Sequence, residues 1–448
     1  MNSKRTKIPG RNENFLPSPQ RTGFALHPEV AAPFVRKFWE KLPVLFSQPL
    51  AAPLISPEEV FLGIVNAADQ FRAGDEEIPL RFYIENAQLT ADVGKHLPAL
   101  ADRTTTGYAK RISRMLGGRR FALIAQNFQA FAPDAFLRFK EFLHGLSGFI
   151  DLPREETKAT VFLGNYRKTP AGLHAGASSN FKFIVEGRKR MRLWPDQYLR
   201  GKEGADGTTD YARFVHAATS LVGKPGDVIY WPSDNWHIGE PVGGLAVSVS
   251  LALFVHKRSS MLRSAREHAI AQTEALMEDP VTASRHATLN RRASAIPKAT
   301  RQTLAAFRRA IEGPELARAI KAELLNQATG FGFSQVPPPS PHRRLRSDAV
   351  VQADSKYPIQ WLRGEPGEFI CSANGHAFSL FAHPAVLVLF ARLNRGEPCH
   401  VQSLIDRYAE SARVDGAYDS AAREIRALLE KLCGLRALSE RPAAARSI

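Results

Sequence analysis

The chain is poor in cysteine: Cys371, Cys399 and Cys433 are the only three in 448 residues, with no C-x-x-C spacing. A sparse, odd, scattered set argues against a disulfide framework or a structural zinc site, and fits a reducing cytoplasm. No apolar run approaches the roughly 20 residues that cross a bilayer, so no membrane partner is expected. The opening MNSKRTKIPGRNENF is basic and polar with no apolar segment behind it, and reads as a flexible tail (1–25) rather than a secretory signal. Internal repeats are missing too.

What is present is ordinary in bulk. Hydrophobic residues at 44% and charged residues at 23% suit a soluble globular chain, and the length allows two or three domains. The formal charge of +16 suits an acidic or nucleic-acid-associated partner, or simply keeps the protein in solution.

Periodicity divides the chain. Residues 27–45 have helical spacing, with Val30, Phe34, Phe38 and Trp39 on one side. Ser56-Pro57-Glu58-Glu59 reads as a capped helix start. Strand candidates follow at 78–88 and 121–131, then a helix at 135–146. Over 159–254, short β-type runs are separated by the turn signals Glu186-Gly187, Pro225-Gly226-Asp227 and Gly243-Gly244, which suggests an all-β sandwich or barrel. Long Arg- and Ala-rich helical runs at 261–277 and 298–327 flank a broken stretch, 278–297, and suit a dimerisation arm (257–328). A Pro-rich linker (329–345) precedes a last unit (346–448), where helices at 379–393, 401–411 and 420–432 and a short extended tail suit a winged-helix-like module. Both later helices mix acids with bases, so nucleic-acid reading is not favoured.

Two stretches in the β-type region each carry one histidine beside an alternating run: 169–195, with His174, and 226–241, with His237. In the first, Phe181, Phe183 and Val185 alternate with Lys182 and Ile184 as a half-buried strand. After a hairpin turn at Glu186-Gly187-Arg188, Lys189 shares a face with Met191 and Leu193. A lysine aimed at an apolar interior needs an anionic partner; no nearby acid on that face offers itself, and a bound carboxylate would serve. Downstream, Val247, Val249, Leu251 and Leu253 form one apolar face, while Ala246, Ser248, Ser250 and Ala252 form a small, partly polar face with room for a ligand.

The spacing H-x-x-x-x-x-N-F from His174 to Phe181, then Gly187-x-Lys189-Arg190 and Leu193-Trp194-Pro195, resembles the cupin-type, JmjC-like Fe(II)/2-oxoglutarate oxygenases. So does Gly226-Asp227-Val228-Ile229-Tyr230-x-Pro232-x-x-x-Trp236-His237. The layout along the whole chain is similar to the ribosomal oxygenase branch. The resemblance implies an α+β protein with a double-stranded β-helix (cupin or jelly-roll) core within 26–256, a helical dimerisation region and a winged-helix-like C-terminus. It implies His174 and His237 as ligands to Fe(II), Lys189 as the partner of the distal carboxylate of 2-oxoglutarate, Asn180 and Thr169 as co-substrate contacts, and Ser250 on a cofactor-facing strand. A peptide or protein substrate follows from the same likeness, while the helical arm favours a homodimer and the sparse cysteines a cytoplasmic location.

One residue departs from the pattern. The family's H-x-D or H-x-E reads His174-Ala175-Gly176, and the only H-x-D/E in the chain, His27-Pro28-Glu29, lies far from any barrel strand. Two histidines without a carboxylate leave an extra open coordination position. Three readings follow: hydroxylation with water in the gap, halogenation with halide at Gly176, or a site kept for binding alone. Asp234 or Glu240 from a neighbouring loop is the candidate replacement acid.

Overall fold

The computed structural model describes residues 24–75, 77–150, 156–254, 266–267, 270–271, 298–333, 335–341, 344–410 and 418–441. The protein mixes helices with antiparallel sheets and divides into two compact units, Met1–Lys257 with Phe333–Pro337, and Arg258–Gly332 with Pro338–Ile448.

The first unit is built on two sheets. The larger has eight strands in the order β1 (Val44–Phe46), β10 (Val228–Trp231), β7 (Ser179–Glu186), β12 (Ala246–Leu253), β5 (Thr157–Gly164), β4 (Phe121–Ala125), β2 (Leu80–Ile84), β3 (Ala87–Gln88). The smaller runs β6 (His174–Ala175), β11 (Trp236–Pro241), β8 (Lys189–Trp194), β9 (Thr219–Gly223). From β7 onward the chain passes back and forth between them, with β7, β10 and β12 in the large sheet and β8, β9 and β11 in the small one. The expected β7–β8 hairpin is therefore a corner. Gly187 turns it at φ 70°, where a Cβ would lie 2.1 Å from the Leu245 carbonyl oxygen, so a residue without a side chain is needed there.

Both faces of β7 are buried, which corrects the half-buried reading. Phe181 and Phe183 meet Phe142 of the helix Pro133–Ser147, each at 5.2 Å between ring centroids, and Phe34 of the helix Pro28–Lys37 meets Tyr230 at 4.8 Å. Each fully buried phenylalanine contributes about 1.5–3 kcal/mol. On the opposite face, Ile184, Ile229 and Trp231 of the large sheet pack with Met191, Leu193 and Leu221 of the small one. The sheets thus face each other across a shared interior.

Other elements differ from their periodicity. The N-terminal helix stops at Lys37, because Pro43 interrupts the run and Val44–Phe46 is taken up as a strand on β10. Residues 78–88 form a tight hairpin, β2–β3, turned at Glu85 with φ 53°. The polar stretch before Phe121 contains the helix Thr105–Met115, capped by the Thr104 hydroxyl. Ser56 and Glu59 form the expected reciprocal cap of the helix Pro57–Arg72.

In the second unit the run 298–327 is two helices, Lys298–Glu312 and Pro314–Gly330. Gly313 is extended between them and Pro314 opens the second. The helical expectation for 261–277 falls almost entirely, and the broken stretch 278–297 wholly, outside the described residues. The sheet β14 (Gln360–Arg363), β15 (Glu368–Ala373), β16 (His376–Phe381) and the sheet β17 (Cys399–His400), β13 (Val350–Ala353), β18 (Leu438–Arg441) accompany helices Pro384–Leu393, Val401–Ala409 and Tyr418–Gly434. Ser379 lies in β16, since extended His383 and then Pro384 set the helix start. The three cysteines are all unpaired. No described helix is long and apolar enough to cross a membrane.

Candidate functional site

His174 and His237 are direct cross-strand partners in the β6–β11 ladder, with ring centroids 4.4 Å apart. His237 also stands opposite Leu193, which packs against the large sheet, so its ring faces the shared interior. Trp231 closes on it at 5.0 Å. Each ring is fixed by its own loop: His174 Nδ1 lies 2.9 Å from the Gly172 carbonyl oxygen and His237 Nδ1 lies 3.0 Å from that of Asn235. A neutral imidazole must donate to a carbonyl, so Nδ1 carries the proton and Nε2 keeps its lone pair. Burial, then the neighbouring His174, pushes the His237 pKa down to about 3, which keeps that lone pair free at neutral pH. An imidazole oriented through Nδ1 in this way is typical of a metal ligand.

Gly176 sits beside this pair. A Cβ there would lie 3.5 Å from His237 Cε1 and 3.8 Å from Ser178 Oγ, ordinary contact distances, and its backbone is not left-handed. The position has room for a side chain and lacks one. Asp234 donates its backbone N–H to the Gly176 carbonyl at 2.8 Å, but its residue is exposed. The Glu240 carboxylate accepts from Arg190 at 3.2 Å and Arg192 at 3.3 Å. Among the described residues no third His, Cys, Asp or Glu joins the histidines. Neither candidate replacement acid completes the set.

Lys189 is 1% exposed, on the inward face with Met191 and Leu193. Its ammonium donates to the Tyr166 hydroxyl and lies 4.3 Å from that ring's centroid. Burial and the charge of Lys182 hold its pKa well below the usual lysine range. Burial in turn raises the Tyr166 pKa, so the phenol stays neutral. Gly239 makes the space for this lysine: a Cβ there would lie 3.0 Å from Lys189 Cε and 3.1 Å from Met191 Sδ. Thr169 sits at the same end, its hydroxyl donating to the Gly239 carbonyl at 2.9 Å. Asn180 is buried on the inward face opposite Trp231, with Nδ2 donating to Ser178 O at 2.9 Å and Ser178 Oγ at 3.1 Å. Ser250 is buried on β12.

The residue that sequence reasoning missed is Lys182. It is 3% exposed, directly opposite Ser250 in the β7–β12 pairing, with its ammonium 4.1 Å from the Phe162 ring centroid and 5.8 Å from that of Trp231. Burial lowers its pKa to about 7. Alternation had put it on the outer side of a half-buried strand. Its pairing with Ser250, on the small face marked as room for a ligand, was the available signal. Nearby, Ser248 Oγ and Trp231 Nε1 are buried without a hydrogen-bond partner.

The donors present fit a divalent metal in part and an organic anion well. Two oriented imidazole nitrogens can ligate; the absent carboxylate leaves the remaining positions to ligands from outside the chain. Two buried ammonium groups and two orphaned polar atoms on the inward faces suit an anion with several oxygens.

No family model matches the chain, and no curated protein matches it. Among solved structures it is similar to YcfD, a ribosomal oxygenase from Escherichia coli, at 14% identity and a TM-score of 0.44, covering 91% of this chain and 97% of that one. The same values of identity and TM-score hold for that protein in complex with cobalt and 2-oxoglutarate, covering 92% of this chain and 98% of that one. At this level the likeness fixes neither the activity nor the ligands of this chain.

Proposed function

We propose that the chain is an Fe(II)/2-oxoglutarate-dependent oxygenase that hydroxylates a peptide or protein side chain, its two facing sheets forming a double-stranded β-helix. The observation that carries this reading is the cross-strand pair His174–His237, both rings held with Nε2 free, in the same interior as the acid-free Lys189. His174 and His237 would hold the iron, which together with 2-oxoglutarate supplies the oxidising chemistry for a C–H bond.

The residues of the chain then have separable tasks. Lys189, steadied by Tyr166, receives the distal carboxylate of 2-oxoglutarate, with Thr169 beside it. Phe162 and Trp231 wall the interior and exclude water. Asn180 and Ser250 line the large-sheet side. The Nδ1–carbonyl contacts at Gly172 and Asn235 keep both imidazoles in one tautomer and one orientation.

The substrate class rests on the layout resemblance. The helix Lys298–Glu312 presents Leu304, Phe307 and Ile311 on one exposed face, which supports a homodimer through residues 257–328. The helices and the sheet β17-β13-β18 of the second unit support a winged-helix-like module at 346–448 with a docking role rather than nucleic-acid reading. A cytoplasmic location accords with three unpaired cysteines.

The room at Gly176 favours one second reading, a halogenase of the same cofactor set with halide beside His237. Incubation with Fe(II), 2-oxoglutarate, oxygen and a peptide library, with and without chloride, separates these. Succinate release with a +16 Da peptide product supports the hydroxylase, and a chlorinated product the halogenase. No succinate under any condition would sink both and leave a binding protein.

A further inference from the structure

Lys182 has no place in the roles given so far, although burying an ammonium without an acid is costly enough to need a reason. Its ammonium and that of Lys189 both lie close to one aromatic ring, at 4.1 Å and 5.9 Å from the Phe162 centroid. One small molecule against Phe162 can therefore touch both. No carboxylate among the described residues pairs with Lys182, and Glu240, the acid whose field reaches Lys189, is bound by Arg190 and Arg192.

The rest of the wall has the same bias. Ser250 stands opposite Lys182, Ser248 Oγ and Trp231 Nε1 lack partners, and position 176 contributes no negative charge. Protonated, the two lysines give this interior two positive charges with no carboxylate among the described residues paired to them. A dianion neutralises them. A divalent cation alone adds to the excess.

We propose that Lys182 and Lys189 together form a dicarboxylate-binding site, each lysine receiving one end of a short-chain dicarboxylate, so that the acid binds in the absence of any metal. This rests on the reading of the same interior as the 2-oxoglutarate pocket. It assigns Lys182 as the second anchor and makes the anion, not the metal, the first ligand to enter. A dianion that draws protons onto both lysines also offsets their charge, so a metal arriving afterwards at His174 and His237 meets no net repulsion from them.

The test is calorimetric titration of the full-length, EDTA-treated protein with succinate and with 2-oxoglutarate, butyrate serving as the monoanion control. Both dicarboxylates are expected to bind the metal-free protein, and butyrate about tenfold more weakly or not at all. Lys182→Met is expected to weaken both dicarboxylates by about tenfold or more, with Lys182→Arg restoring most of the loss. A folded Lys182→Met protein that binds as tightly as wild type would overturn the proposal, as would dicarboxylate binding that appears only after metal is added. A Co(II) titration alongside keeps the two readings apart. Dicarboxylate binding without Co(II) binding sinks the oxygenase and leaves this site standing; Co(II) binding with metal-dependent dicarboxylate binding does the reverse.

Discussion

Gly239 holds open the space that Lys189 occupies, since a methyl group on its Cα would lie 3.0 Å from Lys189 Cε and equally close to Thr169 Oγ1. The small sheet is built around that lysine. Gly239 faces Met191 in the β8–β11 ladder, and its carbonyl and amide both bond Thr169. Gly239→Ala is expected to push the lysine off Tyr166, costing about 1–3 kcal/mol of stability by overpacking and weakening 2-oxoglutarate binding. Thermal melts and calorimetry check both; an unchanged affinity would remove Lys189 from the ligand's path.

Lys182 gives the ligand-free protein a pH dependence of known sign. Its pKa is about 7 folded against 10.5 unfolded, so between those values the unfolded chain binds more protons and stability rises with pH. Lys189 acts in the same direction. The slope is about 1.4 kcal/mol per pH unit for each lysine within its window. His237 is neutral throughout this range, and the raised Tyr166 phenol opposes the trend only above pH 10. The thiols of Cys371 and Cys433, pushed up by burial to about 12 and about 11, oppose it from about pH 9, so denaturant melts from about pH 7 to 8 read the lysines. Lys182→Met is expected to flatten the slope. Bound dicarboxylate should flatten it too and should take up protons at pH 8, seen as a buffer-dependent binding enthalpy.

Gly176→Asp restores the missing carboxylate at a position whose surroundings accept a Cβ at ordinary contact distance. Tighter Co(II) binding, by about tenfold or more, is the expected result of adding an anionic ligand to two neutral ones. The visible Co(II) absorption gives the affinity directly. An unchanged affinity would mean that residue 176 does not face the metal.

The exposed stripe Leu304, Phe307 and Ile311 predicts that Phe307→Glu shifts a dimer to monomer in light scattering while leaving helix content unchanged. A wild-type monomer would end the dimer proposal.

Much of this was legible in the sequence, and the parts that were not have physical causes. The turn residues and alternating runs located the β-type region, and the two histidines share one ladder because short strands bracket them. Alternation within one strand cannot say whether a second sheet covers its polar side, so Lys182 passed for a surface lysine and the β7–β8 corner for a hairpin. Tyr166 comes from a loop, where side-chain direction has no period to read. The helix Thr105–Met115 has only Thr105, Tyr108 and Ile112 buried, too narrow a stripe to stand out. In 298–327 the helical spacing continues through Gly313-Pro314, and only the local backbone breaks it.

The most direct test of the site as a whole is anaerobic absorption spectroscopy with Fe(II) and 2-oxoglutarate on wild type, His237→Ala and Lys189→Met. The expected result is a metal-to-ligand charge-transfer band in wild type, its loss in His237→Ala, and a shift of its half-saturation to higher 2-oxoglutarate in Lys189→Met. No band in the wild-type protein, or an undiminished band in His237→Ala, would contradict a two-histidine iron site in this interior.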